Sequence, residues 1–221
     1  MRFDAILFDL DGTLADTLDD IAASMNWALE RNDLDPHPPD AYRGLVGEGE
    51  RRLVERALPV ERQDLHAAVL EDLRAHYTTH MLDRSAPYPG IPELLDELTR
   101  RGLPMAILSN KPEAAARWMV ERLFAAWPFA EVAGERLGVP HKPDPAAAIS
   151  IAHALGVQPA RVLYLGDTRT DMETAVAAGM FAVGAMWGFR DRAELLAHGA
   201  AAVVEHPLDV LPLIDGAVVG A

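Results

Sequence analysis

Apolar and polar positions follow two different periodicities along this chain. Short apolar runs at residues 3–8, 105–108, 162–165 and 181–185 have the length and composition of buried strands. Between them, apolar residues recur at helical spacing, for example over residues 92–101 and 112–124. Strands that alternate with helices predict a parallel sheet covered by helices on both faces, which places the chain in the α/β class.

Residues 15–84 differ from the rest because no strand pattern occurs there. Helical spacing covers residues 17–30, 48–58 and 61–82, and a loop with three prolines lies at residues 33–39. In the last of these helices Leu65, Val69, Leu73 and Tyr77 follow at intervals of four. This segment is therefore predicted to be an all-helical insertion into the α/β fold. At the other end, residues 216–221 are expected to be loosely ordered.

Composition and charge narrow the range of partners. The formal net charge is −14 and there is no cysteine, which disfavours nucleic-acid binding and excludes disulfides and cysteine metal sites. Asp4, Asp9 and Asp11 interrupt the N-terminus, and the longest uncharged stretch, residues 174–189, is too short for a membrane helix. We expect a cytoplasmic enzyme, monomeric or homodimeric, without a membrane partner, acting on a small molecule. An anionic substrate would require local positive charge.

The basic residues are 18 arginines and only two lysines, Lys111 and Lys142, each directly before a proline. A lysine that persists in so arginine-rich a composition indicates a place where a compact ammonium group is needed. This argument favours a functional role for Lys142. For Lys111 it leaves function and chance equally open.

Polar side chains that suit phosphate chemistry follow the ends of three predicted strands. Ligands of an open α/β sheet bind beyond the carboxyl ends of its strands, so these side chains should converge at one edge. Lys142 should reach them from the loop after a further short strand, predicted near residues 130–133. The polar residues at the strand ends are Asp9, Asp11, Ser109, Asn110, Asp167 and Asp171.

Each of these residues has a plausible chemical task. Asp9, at the tip of the first strand, is predicted to attack phosphorus, and Asp11 to act as general acid and base. Mg²⁺ prefers oxygen ligands, which Asp9, Asp167 and the backbone carbonyl of Asp11 would supply. The Ser109 hydroxyl and the Asn110 backbone N–H would bind phosphoryl oxygens, while Lys142 would stabilise the transferring group.

The motifs that carry these residues resemble those of the haloacid dehalogenase-like hydrolase superfamily, in the same order. They are residues 9–14 (DLDGTL), 108–110 (LSN), 142–143 (KP) and 166–171 (GDTRTD). The resemblance implies a Rossmann-like core, residues 1–15 and 85–221, with a helical cap, residues 16–84. Thr13 and Asp171 are expected to hold the catalytic and metal-binding side chains in place without contacting the substrate. Asp171 could instead serve only as the cap of its helix. Asp11 favours phosphatases, because dehalogenases of the superfamily lack an acid at this position.

Five further stretches narrow the resemblance: residues 15–17 (ADT), 44–49 (GLVGEG), 109–112 (SNKP), 141–145 (HKPDP) and 187–190 (WGFR). With them, the sequence looks most similar to the phosphoglycolate phosphatases within the superfamily. This resemblance implies that 2-phosphoglycolate is the substrate and that cap residues 42–53 select it. Gly47 and Gly49 would let the backbone approach the ligand. The substrate carboxylate could be bound by one of three neighbouring arginines, or all three could be solvent-facing charges; they are Arg43, Arg51 and Arg52.

Alternative functions remain open from the sequence. One is a phosphatase for another small phosphate, including pyrophosphate, and another is a phosphomutase that uses the same aspartyl phosphate. A third is a catalytically dead binding or regulatory protein, which the complete set of acidic and basic residues disfavours. His76 and His80 are four residues apart, but no suitably placed acid accompanies them, so a zinc site there is disfavoured.

Overall fold

Six parallel strands form one sheet in the computed structural model, which describes residues 2–216. The order across the sheet is β5-β4-β1-β6-β7-β8, so the first strand lies between two strands that come much later in the chain. The strands are β1 (Ala5–Phe8), β2 (Ala15–Asp16), β3 (Ala86–Pro87), β4 (Met105–Pro112), β5 (Phe129–Glu135), β6 (Val162–Gly166), β7 (Phe181–Ala185) and β8 (Ala202–Val204).

Helices cover both faces of this sheet, which confirms the predicted α/β class. Ile6 and Phe8 of β1 pack into the apolar cluster on one face, while Ala5 and Leu7 pack into the cluster on the other. The helices are α1 (Leu18–Arg31), α2 (Tyr42–Leu45), α3 (Glu50–Ala57), α4 (His66–His80), α5 (Ile91–Arg100), α6 (Glu113–Leu123), α7 (Ala146–Ala154), α8 (Arg169–Ala177), α9 (Arg192–Ala197) and α10 (Val210–Asp215).

Helices α1 to α4 surround a third apolar cluster, to which the core contributes Phe189. We call residues 16–84 the cap segment; that it is an independent domain stays a prediction. Its two ends meet in a short antiparallel ribbon, where Ala15 pairs with Pro87. The buried Asp20 carboxylate strengthens this junction by accepting hydrogen bonds from the backbone N–H groups of Arg84 and Ser85. The cap segment therefore leaves and rejoins the core at one place, next to the end of β1.

Two helix boundaries differ from the sequence-based expectation. The helix predicted over residues 61–82 runs only from His66 to His80, because the preceding 3-10 segment contains the non-helical Arg62. The helix expected from Asp171 begins at Arg169, because Thr168 and Asp171 together form a capping box. The sequence predicts a loosely ordered end at residues 216–221, and of these, residues 217–221 lie outside the described part of the chain. None of the helices within residues 2–216 combines the length and apolarity required to cross a bilayer.

Candidate active site

Three buried carboxylates meet at the carboxyl ends of β1 and β6. Asp9 directly follows β1, Asp167 directly follows β6, and Asp171 lies in the first turn of α8. An oxygen atom from each lies within 4.8 Å of an oxygen of the other two. This proximity follows from the strand order, since β1 and β6 are neighbours although more than 150 residues separate them. The structure thus brings together Asp9, Asp167 and Asp171, three of the residues that the sequence predicted to converge at this edge.

A single ammonium group enters this cluster from the loop after β5. Lys142 Nζ lies 2.8 Å from Asp9 Oδ1 and 2.7 Å from Asp171 Oδ1, and the residue is only 2% exposed. Three carboxylates and one ammonium leave an excess of negative charge in a buried place. A divalent cation bound through carboxylate oxygens would balance that excess, so the donor set fits a metal ion such as Mg²⁺.

The pKa values of these groups reflect the same excess charge. Burial, together with the negative charge of Asp171, raises the pKa of Asp9 to about 7. Burial and the same neighbour also raise the pKa of Asp167 well above its usual range. For Lys142, burial alone would lower the pKa, but the charges of Asp171 and Asp9 outweigh this effect and raise it. Lys142 is therefore held in its charged form.

Hydrogen bonds orient Asp167 and make its position rigid. Thr13 Oγ1 donates to Asp167 Oδ1 at 2.9 Å, and the backbone N–H of Phe189 donates to Oδ2 at 2.8 Å. Gly12, at φ 86°, packs so closely that a Cβ atom there would lie 2.3 Å from Asp167 Oδ2. The turn after β1 therefore needs glycine both for its backbone conformation and for the close approach of Asp167.

The Asp171 carboxylate has two structural roles, one for each of its oxygens. Its Oδ2 accepts hydrogen bonds from the backbone N–H and the hydroxyl of Thr168, which caps α8, while its Oδ1 accepts one from Lys142. Asp171 therefore caps α8, which is the alternative role that the sequence left open, and it also holds Lys142 in place.

Ser109 and Asn110 lie beside this cluster but inside β4, because the strand predicted to end at residue 108 continues to Pro112. The Ser109 hydroxyl accepts a hydrogen bond from the backbone N–H of Lys111. Asn110 Nδ2 donates to the backbone carbonyls of Gly47, at 3.2 Å, and Lys142, at 3.1 Å. The Asn110 side chain therefore ties a turn of the cap segment to the loop that carries Lys142.

The carboxylate of Asp11 is held apart from the three-carboxylate cluster by Lys111. Lys111 Nζ lies 2.8 and 3.1 Å from the two Asp11 oxygens and 2.7 Å from the hydroxyl of Tyr77 on α4. Burial raises the pKa of Tyr77 to about 12, so this hydroxyl stays protonated at neutral pH. Sequence reasoning left the role of Lys111 open and missed Tyr77, whose i+4 spacing with Leu73 indicated only a helix face.

A cavity of about 560 Å³ extends from Asp9 and Asp11 between the cap segment and the core. Gly47 and Gly49, both at positive φ, form part of its wall, as does Ser109. Apolar side chains make up much of the remaining wall. They come from the cap segment (Ile21, Val46, Leu53, Leu73 and Met81) and from the core (Pro112, Ala114, Ala115 and Trp118).

The three arginines proposed from the sequence do not line this cavity. Arg43 donates to the backbone carbonyl of Gly188, Arg52 pairs with Glu55 at the surface, and Arg51 borders a separate cavity on the cap segment. Among the described residues that line the main cavity, the cations are instead Lys111 and Arg74. Arg74 is paired with Glu50.

Comparison with known proteins agrees with this geometry. The family model described as haloacid dehalogenase-like hydrolase matches residues 6–185. The chain belongs to this family, and its relatives identify it as a phosphatase.

Two curated relatives and one solved structure illustrate the similarity. A phosphoglycolate phosphatase of Mesorhizobium japonicum is 36% identical, over 85% of this chain and 84% of its own length. An N-acetylmuramic acid 6-phosphate phosphatase of Pseudomonas aeruginosa is 33% identical, over 98% of this chain and 97% of its own. A crystal structure from Lactobacillus delbrueckii subsp. bulgaricus superposes with a TM-score of 0.91 at 30% identity, over 97% of this chain and 99% of that chain.

Proposed function

We propose that this enzyme is a Mg²⁺-dependent phosphatase that transfers the phosphoryl group of a small phosphate monoester to Asp9 and then to water. The observation that carries the proposal is the buried cluster of Asp9, Asp167 and Asp171 around the single ammonium group of Lys142. Asp9 and Asp167 would hold Mg²⁺ together with the backbone carbonyl of Asp11. When bound, the ion would neutralise charge on the phosphate and on Asp9.

Side chains of the protein carry out the phosphoryl transfer and the proton transfers. Asp9 attacks phosphorus, the bond to the ester oxygen breaks, and Asp11 gives that oxygen its proton. Asp11 then takes a proton from the water that attacks the phosphorus of the aspartyl phosphate, which releases inorganic phosphate and frees Asp9. Lys142 and the Ser109 and Asn110 donors stabilise the charge of the phosphoryl oxygens throughout.

For the substrate we propose 2-phosphoglycolate, on the strength of the relatives that bear this activity in their names. The group best placed for its carboxylate is Lys111, because it lines the cavity beside Asp11 and is held in its charged form. A substrate carboxylate could share this ammonium with Asp11, at a distance that suits a charge-assisted hydrogen bond.

The test compares initial rates of phosphate release from 2-phosphoglycolate and ethyl phosphate, with ethanolamine phosphate, pyrophosphate and N-acetylmuramic acid 6-phosphate alongside. We expect phosphoglycolate to exceed ethyl phosphate by about ten- to a hundredfold in kcat/KM, the value of one charged hydrogen bond. Lys111→Met should remove most of this ratio. Arg52→Met, which removes a surface cation, should leave it intact.

Equal kcat/KM for phosphoglycolate and ethyl phosphate, or a tenfold advantage for another ester, would overturn the substrate assignment but not the phosphatase assignment. A phosphomutase would instead yield a phosphorylated product, with phosphate released only slowly.

A further inference from the structure

The cavity next to the proposed phosphate site is much larger than a two-carbon acid requires. Its volume of about 560 Å³ is typical of pockets that bind drug-sized ligands. The phosphoryl group itself would occupy only the end that contains Asp9 and Ser109. Most of the volume therefore remains for the organic part of an ester.

The remaining wall of the cavity is mainly apolar on two opposite sides. Leu53 of α3 and Leu73 of α4 contribute from the cap segment, while Ala115 and Trp118 of α6 contribute from the core. Apolar surfaces that face each other across a cleft gain free energy when an apolar group displaces water between them. A second carboxylate or phosphate would gain nothing from this part of the wall.

The charged groups in the same cavity are already paired within the protein. Lys111 contacts Asp11, and Arg74 contacts Glu50. Beyond the Lys111 position, the described lining residues thus offer no unpaired cation to a larger polyanionic substrate. Besides a small acid bound at Lys111, charge and shape therefore also suit an ester whose organic part is extended and uncharged.

We propose a further activity of this site: hydrolysis of phosphate monoesters of extended apolar alcohols, in addition to small acidic esters. This proposal rests on the proposed phosphatase function and not on phosphoglycolate as the substrate. The ester phosphate lies at Asp9 and the alkyl chain lies between α3 and α4 on one side and α6 on the other. The reaction is the same phosphoryl transfer, from the alcohol oxygen to Asp9 and then to water, with the alcohol as leaving group.

The experiment measures kcat/KM for unbranched alkyl phosphates from ethyl to octyl with the full-length protein and Mg²⁺. The leaving alcohols have nearly equal acidity, so differences report binding of the chain and not the chemical step. Each fully buried methylene is worth about fourfold. We therefore expect hexyl phosphate to exceed ethyl phosphate by about tenfold or more, with no further gain once the chain fills the cavity.

A cavity-filling variant tests where the chain binds. Ala114 lies at the start of α6, is exposed and lines the cavity, so Ala114→Phe should fill part of it without disturbing the core. We expect the ratio of hexyl to ethyl phosphate to fall severalfold in this variant. Ala154 is an exposed alanine of α7 outside the cavity, and Ala154→Phe should leave the ratio unchanged.

Three outcomes would overturn the proposal. A flat or falling dependence on chain length, with phosphoglycolate hydrolysed normally, would refute the apolar site and leave the proposed function intact. A chain-length dependence that Ala114→Phe does not alter, in a variant whose thermal midpoint matches the wild type, would mean that the chain binds elsewhere. Absence of phosphate release from every ester would refute this inference and the proposed function together.

Discussion

Lys142 Nζ lies 2.7 Å from Oδ1 of Asp171, and the same ammonium group lies 2.8 Å from Oδ1 of Asp9. Asp171 also caps α8, so it is fixed by the helix while it fixes Lys142. The position of the ammonium group therefore depends on the start of α8 as well as on its own loop. This arrangement explains how a flexible lysine side chain can be held rigidly next to a proposed nucleophile.

Replacement of Lys142 tests the electrostatic part of the mechanism. Lys142→Met removes the charge that would stabilise the transferring phosphoryl group, and we expect kcat to fall by about a hundred- to a thousandfold. Lys142→Arg should not restore it, because a planar guanidinium does not fit a place that is 2% exposed. Steady-state rates, with circular dichroism as the fold control, check this; activity within tenfold of the wild type in Lys142→Met would contradict it.

The raised pKa of Asp9 predicts how the metal-free protein responds to pH. The ordinary value is 3.8 and the value in the fold is about 7, so the folded protein binds the extra proton between these values. The contribution of Asp9 to the free energy of unfolding is therefore present at low pH and is lost as pH rises toward about 7. Mg²⁺ must displace this proton, so Asp9 alone should make the affinity rise by up to about tenfold per pH unit below pH 7. The raised pKa of Asp167, the other carboxylate ligand, should add to this dependence.

Calorimetric titration of the metal-free protein with Mg²⁺ at several pH values measures that affinity. Asp9→Asn provides the control, because the amide cannot take up the proton and the proton release linked to Asp9 should vanish. Mg²⁺ affinity that does not change between pH 5 and pH 7 in the wild type would contradict the assignment of Asp9 as a ligand.

Gly12 allows a test of the close approach to Asp167. Gly12→Ala places a methyl group 2.3 Å from Asp167 Oδ2, which must then move, and we expect loss of Mg²⁺ binding and of turnover. Gly102 has a similar positive φ, 65°, but nothing lies within 4 Å of its missing Cβ. Gly102→Ala should therefore suffer the same backbone strain without the clash. We expect it to lose about 1–2 kcal/mol of unfolding free energy and to keep its activity. Equal activity in the two variants would exclude a role for this contact.

Asp11→Asn should separate the two proposed roles of this residue. The variant keeps the backbone carbonyl that would bind Mg²⁺ but loses the proton that the leaving oxygen requires. A good leaving group needs little protonation, so Asp9 phosphorylation by p-nitrophenyl phosphate should be impaired far less than that by ethyl phosphate. Single-turnover kinetics of the phosphorylation step measure both; equal defects for the two esters would argue against Asp11 as the acid.

The parallel sheet was predictable from the sequence, because its strands are short continuous apolar runs and its polar residues stand at their ends. Asp9 and Asp167 could be placed together by that rule alone. The pairing of Lys111 with Asp11 and Tyr77 could not, because it depends on how α4 of the cap segment packs against the core. Neither could the strand β8 be predicted, since its three residues carry no periodicity that distinguishes them from a loop.

The arginines near Gly47 show a second limit of sequence reasoning. Proximity in the chain suggested Arg43 as a partner for the substrate, yet its side chain turns toward the carbonyl of Gly188. The cation that does line the cavity from the cap segment, Arg74, lies on another helix and more than 20 residues away. Which charged side chains reach a cavity depends on helix orientation, which spacing alone does not specify.

The central claim is that Asp9 carries the phosphoryl group during turnover. The most direct measurement is acid quenching of Asp11→Asn during reaction with p-nitrophenyl phosphate, followed by mass spectrometry of the peptide that contains Asp9. Because the variant lacks the base that activates water, we expect aspartyl phosphate to accumulate on Asp9, and we expect Asp9→Asn to be inactive. Release of phosphate by Asp9→Asn at a tenth of the wild-type rate, or turnover with no phosphate on that peptide, would contradict the account.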